Sequence, residues 1–193
     1  KINEQLGNKQ GIATSYGNLG LIYKTRGDLE KAEDAQLKAL EIDEQLGNKQ
    51  GIASSYGNLG LIYETQGDLE KAEDAQLKAL KINEQLGNKQ GIATSYGNLG
   101  LIYQTHGDLE KAEDAQLKSL KITDQLGNKQ GMATSYGNLG AISELKGNMS
   151  EACAHWQKAL DLFTEVGAKR EMEQASNLLK AANCSDKIKS PSD

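Results

Sequence analysis

Apolar positions along this chain recur at two spacings, one nested inside the other. At the short scale, Ile12, Tyr16, Leu19 and Tyr23 fall at i, i+4, i+7 and i+11, the stripe of an amphipathic helix. After Gly27 a second set predicts a second helix: Leu29, Ala32, Ala35, Leu37, Ala39, Leu40, Ile42 and Leu46. At the long scale the whole pattern returns every forty residues, in units 8–47, 48–87, 88–127 and 128–167. The first unit differs from the second at five positions and the second from the third at six. Such a period predicts an array of supersecondary units, each burying its apolar face only against its neighbours.

Punctuation within the unit divides it in two. The first helix, A, is predicted from about Lys9 to Arg26, with the second, B, opening after Asp28 as N-cap and Glu30 in its first turn. Each unit closes on Leu-Gly-Asn, as at Gly47, Gly87 and Gly127, and the asparagine is placed to cap the next helix. Helices joined by so short a turn pack antiparallel. Residues 1–7 read as the end of a truncated preceding repeat, with a helix over Lys1–Leu6 closed by Gly7, so that the chain is a piece of a longer array. Residues 168–183 align with another A helix, Met172 standing where Ile12 does and Leu179 where Leu19 does. Lys180 replaces the glycine at 20, which reads as a capping helix, and 184–193 reads as a short disordered polar tail.

Composition narrows the function. A formal charge of −5 disfavours nonspecific nucleic-acid binding, and no apolar run approaches the roughly 20 residues that span a bilayer. The two cysteines, Cys153 and Cys184, lie outside the repeated pattern and are too few for a disulfide scaffold, which favours a reducing, cytoplasmic setting. No signal peptide is evident. Catalytic chemistry finds little support: His106 is a one-off substitution, and Cys153 and His155 sit on different faces of one helix. The recurring Glu30, Glu33 and Asp34 read as a solvated face. No catalytic residue, metal or cofactor is expected.

The spacing Tyr16-x2-Leu19-Gly20-x2-Tyr23, then Gly27, Ala32, Ala39-Leu40 and Ile42, resembles the tetratricopeptide repeat. The forty-residue unit is similar to the subtype of LGN/Pins-type adaptors and bacterial multi-repeat proteins. Two departures stand out: the aromatic usual midway along helix B is Gln36, Gln76 and Gln116, returning only as Trp156, and the closing proline is Glu44, Glu84 and Asp124. The resemblance implies an all-α, right-handed superhelical solenoid of antiparallel helix pairs whose A helices line a concave groove for a protein or peptide partner.

With the 12-16-19-23 stripe buried, the opposite face of helix A carries Gln10, Thr14, Gly17, Asn18, Leu21, Lys24 and Thr25. Asparagine is a poor helix former, yet it recurs as Asn18, Asn58, Asn98 and Asn138. Its amide both donates and accepts, as gripping a peptide backbone requires; it could instead bond between repeats. Gly17, Gly57 and Gly97 beside it mark either a lowered groove floor or close packing against the neighbouring A helix. Gly20 is explained by close approach of helix B at Ala32. Leu21, Leu61 and Leu101 supply apolar patches. Lys24, Glu64 and Gln104, with Arg26, Gln66 and His106, vary between units and either tune specificity at the rim or are unconstrained surface; positions 41 and 43 vary too, and most of these variable positions read as solvent positions. No basic row suits an acidic C-terminus. The expectation is therefore a non-catalytic scaffold binding a partner segment. The alternatives are a spacer that self-associates through Ile12 and Tyr16 at its uncapped N-terminal end, or a sensor domain of a larger protein.

Overall fold

The computed structural model describes residues 2–184, with the side chains of residues 2–6 left aside. Among the described residues the chain is all helical: α1 (Ile2–Arg26), α2 (Leu29–Leu46), α3 (Lys49–Gln66), α4 (Leu69–Leu86), α5 (Lys89–His106), α6 (Leu109–Gln125), α7 (Lys129–Leu145), α8 (Met149–Val166) and α9 (Lys169–Ala181). Odd-numbered helices up to α7 are the A helices and even-numbered ones the B helices, packed as consecutive antiparallel pairs. The chain forms two compact units, one up to Asn98 and one from Leu99, so the boundary falls within α5.

The turns follow the predicted code. Every junction glycine from Gly27 to Gly167 adopts a positive φ. At Gly47 (φ 66°) the left-handed step lets Asn48 N–H bond back to Asp43 O at 2.9 Å, closing α2. Asn48 Oδ1 then accepts from Gly51 N–H at 3.2 Å and caps α3, as Asn88 and Asn128 do for Gly91 and Gly131. On the B helices the cap is less regular: Asp68 accepts from Lys71 N–H, whereas Asp28 makes no such bond.

The expected break at Gly7 does not occur, since α1 runs unbroken from Ile2 to Arg26. The other Leu-Gly-Asn junctions turn because a helix packs back on the one just finished. At Gly7 no earlier helix among the described residues packs against α1 to compete with continuing the hydrogen-bond ladder. The predicted polar tail also begins differently: Cys184 is buried and bonded to Cys153, and the remainder, 185–193, lies outside the described residues.

Within unit 1 the core is built from small side chains on B helices facing larger ones on A helices. Ala32, Ala39, Ala72 and Ala79 are buried, and Leu40, Leu59 and Ala75 form a cluster flanked by Ile52, Tyr56 and Tyr63. The buried face of helix A is rotated from the predicted stripe. Ala53, Ser55, Leu59, Gly60 and Ile62 are fully buried on α3, while Ile52, Tyr56 and Tyr63 sit at the edge. The Tyr63 hydroxyl keeps a polar partner this way: it donates to Glu33 Oε1 at 3.1 Å, and Gln66 donates to the other oxygen. Burial, and then the adjacent Glu33 charge, push the Tyr63 phenol up to about 12. Glu33 is thus a bridge between repeats rather than solvated surface. Leu37 and Leu77, expected in the buried set, are 44% exposed on the outer face of their helices. On α1, before which no B helix lies among the described residues, Leu19 and Ile22 are exposed where Leu59 and Ile62 of α3 are buried.

In unit 2, Phe163 packs with Ala133, Ala159 and Ala175, and α9 packs against α8. A second cluster joins Ala152, Cys153, Trp156 and Cys184, with Met149, Leu179 and Ala182 against it.

Candidate functional site

Each cleft arises from the same three elements. One face of an A helix forms one wall, three residues at i, i+3 and i+7 of the following B helix form the floor, and the next A helix forms the far wall. In unit 1, Gln36, Ala39 and Asp43 of α2 floor a cleft of about 230 Å³ between α1 and α3. Gln76, Ala79 and Asn83 of α4 floor its neighbour of about 310 Å³ between α3 and α5. In unit 2, Trp156, Ala159 and Phe163 of α8 floor a cleft of about 470 Å³ between α7 and α9.

The predicted groove face coincides with these walls at most positions. Gln10, Thr14, Gly17, Asn18 and Leu21 line the first cleft; Gly57, Asn58, Leu61 and Asn98 line the second, Asn58 being shared by both. Asn138 lines the cleft of unit 2. Gly97 directly precedes Asn98 on α5. Leu101 and Gln104 belong to unit 2 and do not line its α7–α9 cleft. Lys24 and Glu64 stay outside the unit 1 clefts. Burial pushes the Glu64 carboxyl up, and the Lys24 charge opposes that.

The asparagines are not wholly free of scaffold duties. Asn58 Nδ2 reaches Gln36 Oε1 at 3.5 Å, the outer limit of a hydrogen bond. In the next repeat Gln76 Oε1 is buried with no hydrogen-bond partner, so the scaffold tolerates the loss of this contact.

The two helix glycines have opposite roles. At Gly20 and Gly60 an added Cβ would lie 2.5 and 2.6 Å from the Nε2 of Gln36 and Gln76, so the niche belongs to the glutamine and not to Ala32 as expected. That glutamine donates to the backbone carbonyl of Gly17 or Gly57 at 2.8 Å. Trp156 does the same with Gly137 O at 3.2 Å, so the missing aromatic is replaced in kind. At Gly17, Gly57 and Gly137 an added Cβ meets nothing within 4 Å. Close packing therefore does not explain them; open space at the cleft does. Gly57→Ala is expected to stabilise the fold by about 1 kcal/mol, the helix-propensity gain. Gly60→Ala should cost about 1–3 kcal/mol by displacing a buried, bonded glutamine. Urea unfolding of the two variants checks both signs, and a loss of stability in Gly57→Ala would contradict the open floor.

The position sequence reasoning missed is 43. Asp43 is 4% exposed, not a solvent position, and its equivalents Asn83, Thr123 and Phe163 are buried as well. The signal present in the sequence was the change of this position in every unit, from Asp43 to Asn83, Thr123 and Phe163. His155 Nδ1 lies 3.4 Å from Ser143 Oγ, and burial pulls the His155 pKa below the ordinary value. Among the described residues no His, Cys, Asp and Glu side chains group as a metal site would require, and no helix is long and apolar enough to cross a membrane.

The sequence signature of the tetratricopeptide repeat matches residues 11–85 and again 51–125, more than half of the chain. The chain belongs to the tetratricopeptide-repeat family. Solved structures share its fold at low identity. Aspartyl phosphate phosphatase F from Bacillus subtilis superposes with a TM-score of 0.85 at 14% identity, over 93% of this chain and 48% of that one. The apo form of RapI gives 0.79 at 16%, over 88% of this chain and 62% of that one. BtubC from P. vanneervenii gives 0.68 at 18%, over 100% and 95% of the two chains. Among curated proteins none matches the sequence significantly. This tetratricopeptide-repeat chain spans about half to two thirds of the first two of these structures, and the likeness at this identity is one of fold.

Proposed function

We propose that this chain is a non-catalytic interaction scaffold that holds an extended segment of a partner protein in the clefts between successive A helices; the Cys153–Cys184 disulfide removes the ground for a reducing, cytoplasmic setting. The observation that carries the reading is the pairing of Gly57, whose missing Cβ leaves open space, with Asn58, whose amide lines two adjacent clefts. An exposed helix backbone beside a side chain that both donates and accepts matches the needs of a peptide main chain. The repetition of that pairing at forty-residue intervals would offer the segment several grips rather than one. Family membership supports protein binding in general, and the cleft geometry supports its location.

The test begins with selection of short peptides from a displayed random library. Substituting Asn58 and Asn98 by alanine should weaken a selected peptide by about 1 kcal/mol each, with the helical signal and unfolding midpoint nearly unchanged. Equal affinity for the double variant and the parent would sink the asparagine assignment.

A further inference from the structure

Asp43 carries a negative charge into a place where the fold does not require one. Its carboxylate is 4% exposed. Oδ1 accepts from Asn48 Nδ2 at 2.7 Å and from Gln10 Nε2 at 3.5 Å, both neutral amides. No lysine or arginine among the described residues pairs with it, although a buried charge is costly unless it is paired. The structural work at this position is to orient the capping asparagine of the next helix. In the following repeat the neutral Asn83 performs it equally, accepting from Asn88 Nδ2 at 2.9 Å. Thr123 and Phe163 occupy the position in turn and are also buried. The charge of Asp43 is thus surplus to the cap, and among the described residues it is the sole charged one lining its cleft.

We propose that the α1–α3 cleft takes a cationic side chain, lysine or arginine, of the bound segment, with Asp43 as its counter-ion and the amides of Gln10, Asn18 and Asn58 around it. This rests on the reading of the clefts as a peptide-binding groove and adds which residue is read. Position 43 is then the place where the repeats differ in what they accept. A carboxylate in the first cleft attracts a cation. An amide in the second accepts neutral polar groups. The phenyl and indole floor of the cleft in unit 2 suits an apolar side chain. The variation that sets this order lies at the floor, not at the rim positions 24, 64 and 104.

The experiment uses displayed random peptides selected in parallel on the parent chain and on Asp43→Asn. That variant imports the residue the chain already uses at 83, so the cap at Asn48 is kept, and helical content and unfolding midpoint confirm it. Peptides selected on the parent should be enriched in lysine or arginine, lose about tenfold or more in affinity on Asp43→Asn, and weaken with rising salt. The reciprocal Asn83→Asp variant should select a second basic residue. Peptides that bind the parent and depend on Asn58, yet show no basic enrichment or bind Asp43→Asn equally, would overturn the proposal and leave the groove standing. Peptides indifferent to Asn58, Asn98 and Asp43 alike would overturn both.

Discussion

Trp156→Ala is expected to lower the stability of unit 2 by about 3–5 kcal/mol, the range for removing a large buried aromatic. The indole is 1% exposed and makes three contributions at once. It fills the niche left by Gly140, where a Cβ would lie 2.3 Å from its Nε1. It donates to the Gly137 carbonyl, and it underlies Cys153, Cys184 and Leu179 where α9 meets α8. Trp156→Gln, which restores the residue of the three preceding repeats, should recover part of that loss. Glutamine fits the niche and bonds the same carbonyl, but it leaves a void beneath the cap. Urea unfolding followed by far-ultraviolet circular dichroism orders the three proteins. A glutamine variant no better than alanine would show that packing alone, and not the shared niche, determines the cost.

Reduction of the Cys153–Cys184 disulfide is expected to destabilise the C-terminal cap by about 3–4 kcal/mol. The bond closes a loop with a sequence separation of 31, and chain-entropy arguments assign that magnitude to a loop of this length. Because repeat proteins unfold by neighbours, the loss should concentrate in α8 and α9 rather than spread evenly. Hydrogen exchange on the oxidised and reduced chains measures this directly. Faster exchange confined to residues of α8, α9 and the Cys184 turn is the expected result. Trp156, the single tryptophan of the chain, gives an independent reading of the same region by its fluorescence.

That bond was not legible from the sequence. Two cysteines outside the repeated pattern gave no pairing signal, because their meeting depends on α9 folding antiparallel onto α8 and on the chain turning back after Ala181. The architecture, by contrast, was written in local terms. Gly27, Gly47 and their successors mark turns through a backbone preference that needs no tertiary context, and the asparagine caps follow within a few residues. That Gln10, Thr14, Gly17, Asn18 and Leu21 line one cleft was legible for a related reason, since they share one side of a helix by spacing alone. What failed were statements about which side chain meets which. Gly20 was matched to Ala32, while the structure gives its niche to Gln36, because the glutamine reaches back one turn toward a carbonyl that only packing brings near. Leu37 was assigned to the core on apolarity, although the narrow alanine face of the B helix leaves it outside. Variation between units groups Asp43 with mostly solvent positions, yet it is a buried floor residue because the next helix begins directly over it.

The central claim is that partner segments lie over the Gly-Asn face of the A helices. It is tested most directly by following side-chain resonances during titration with a selected peptide. The amide groups of Asn18, Asn58 and Asn98 should shift and protect, while the methyl groups of Leu37 and Leu77 on the outer face remain where they are. Shifts confined to Leu37 and Leu77, with the asparagine amides unmoved at saturation, would contradict it.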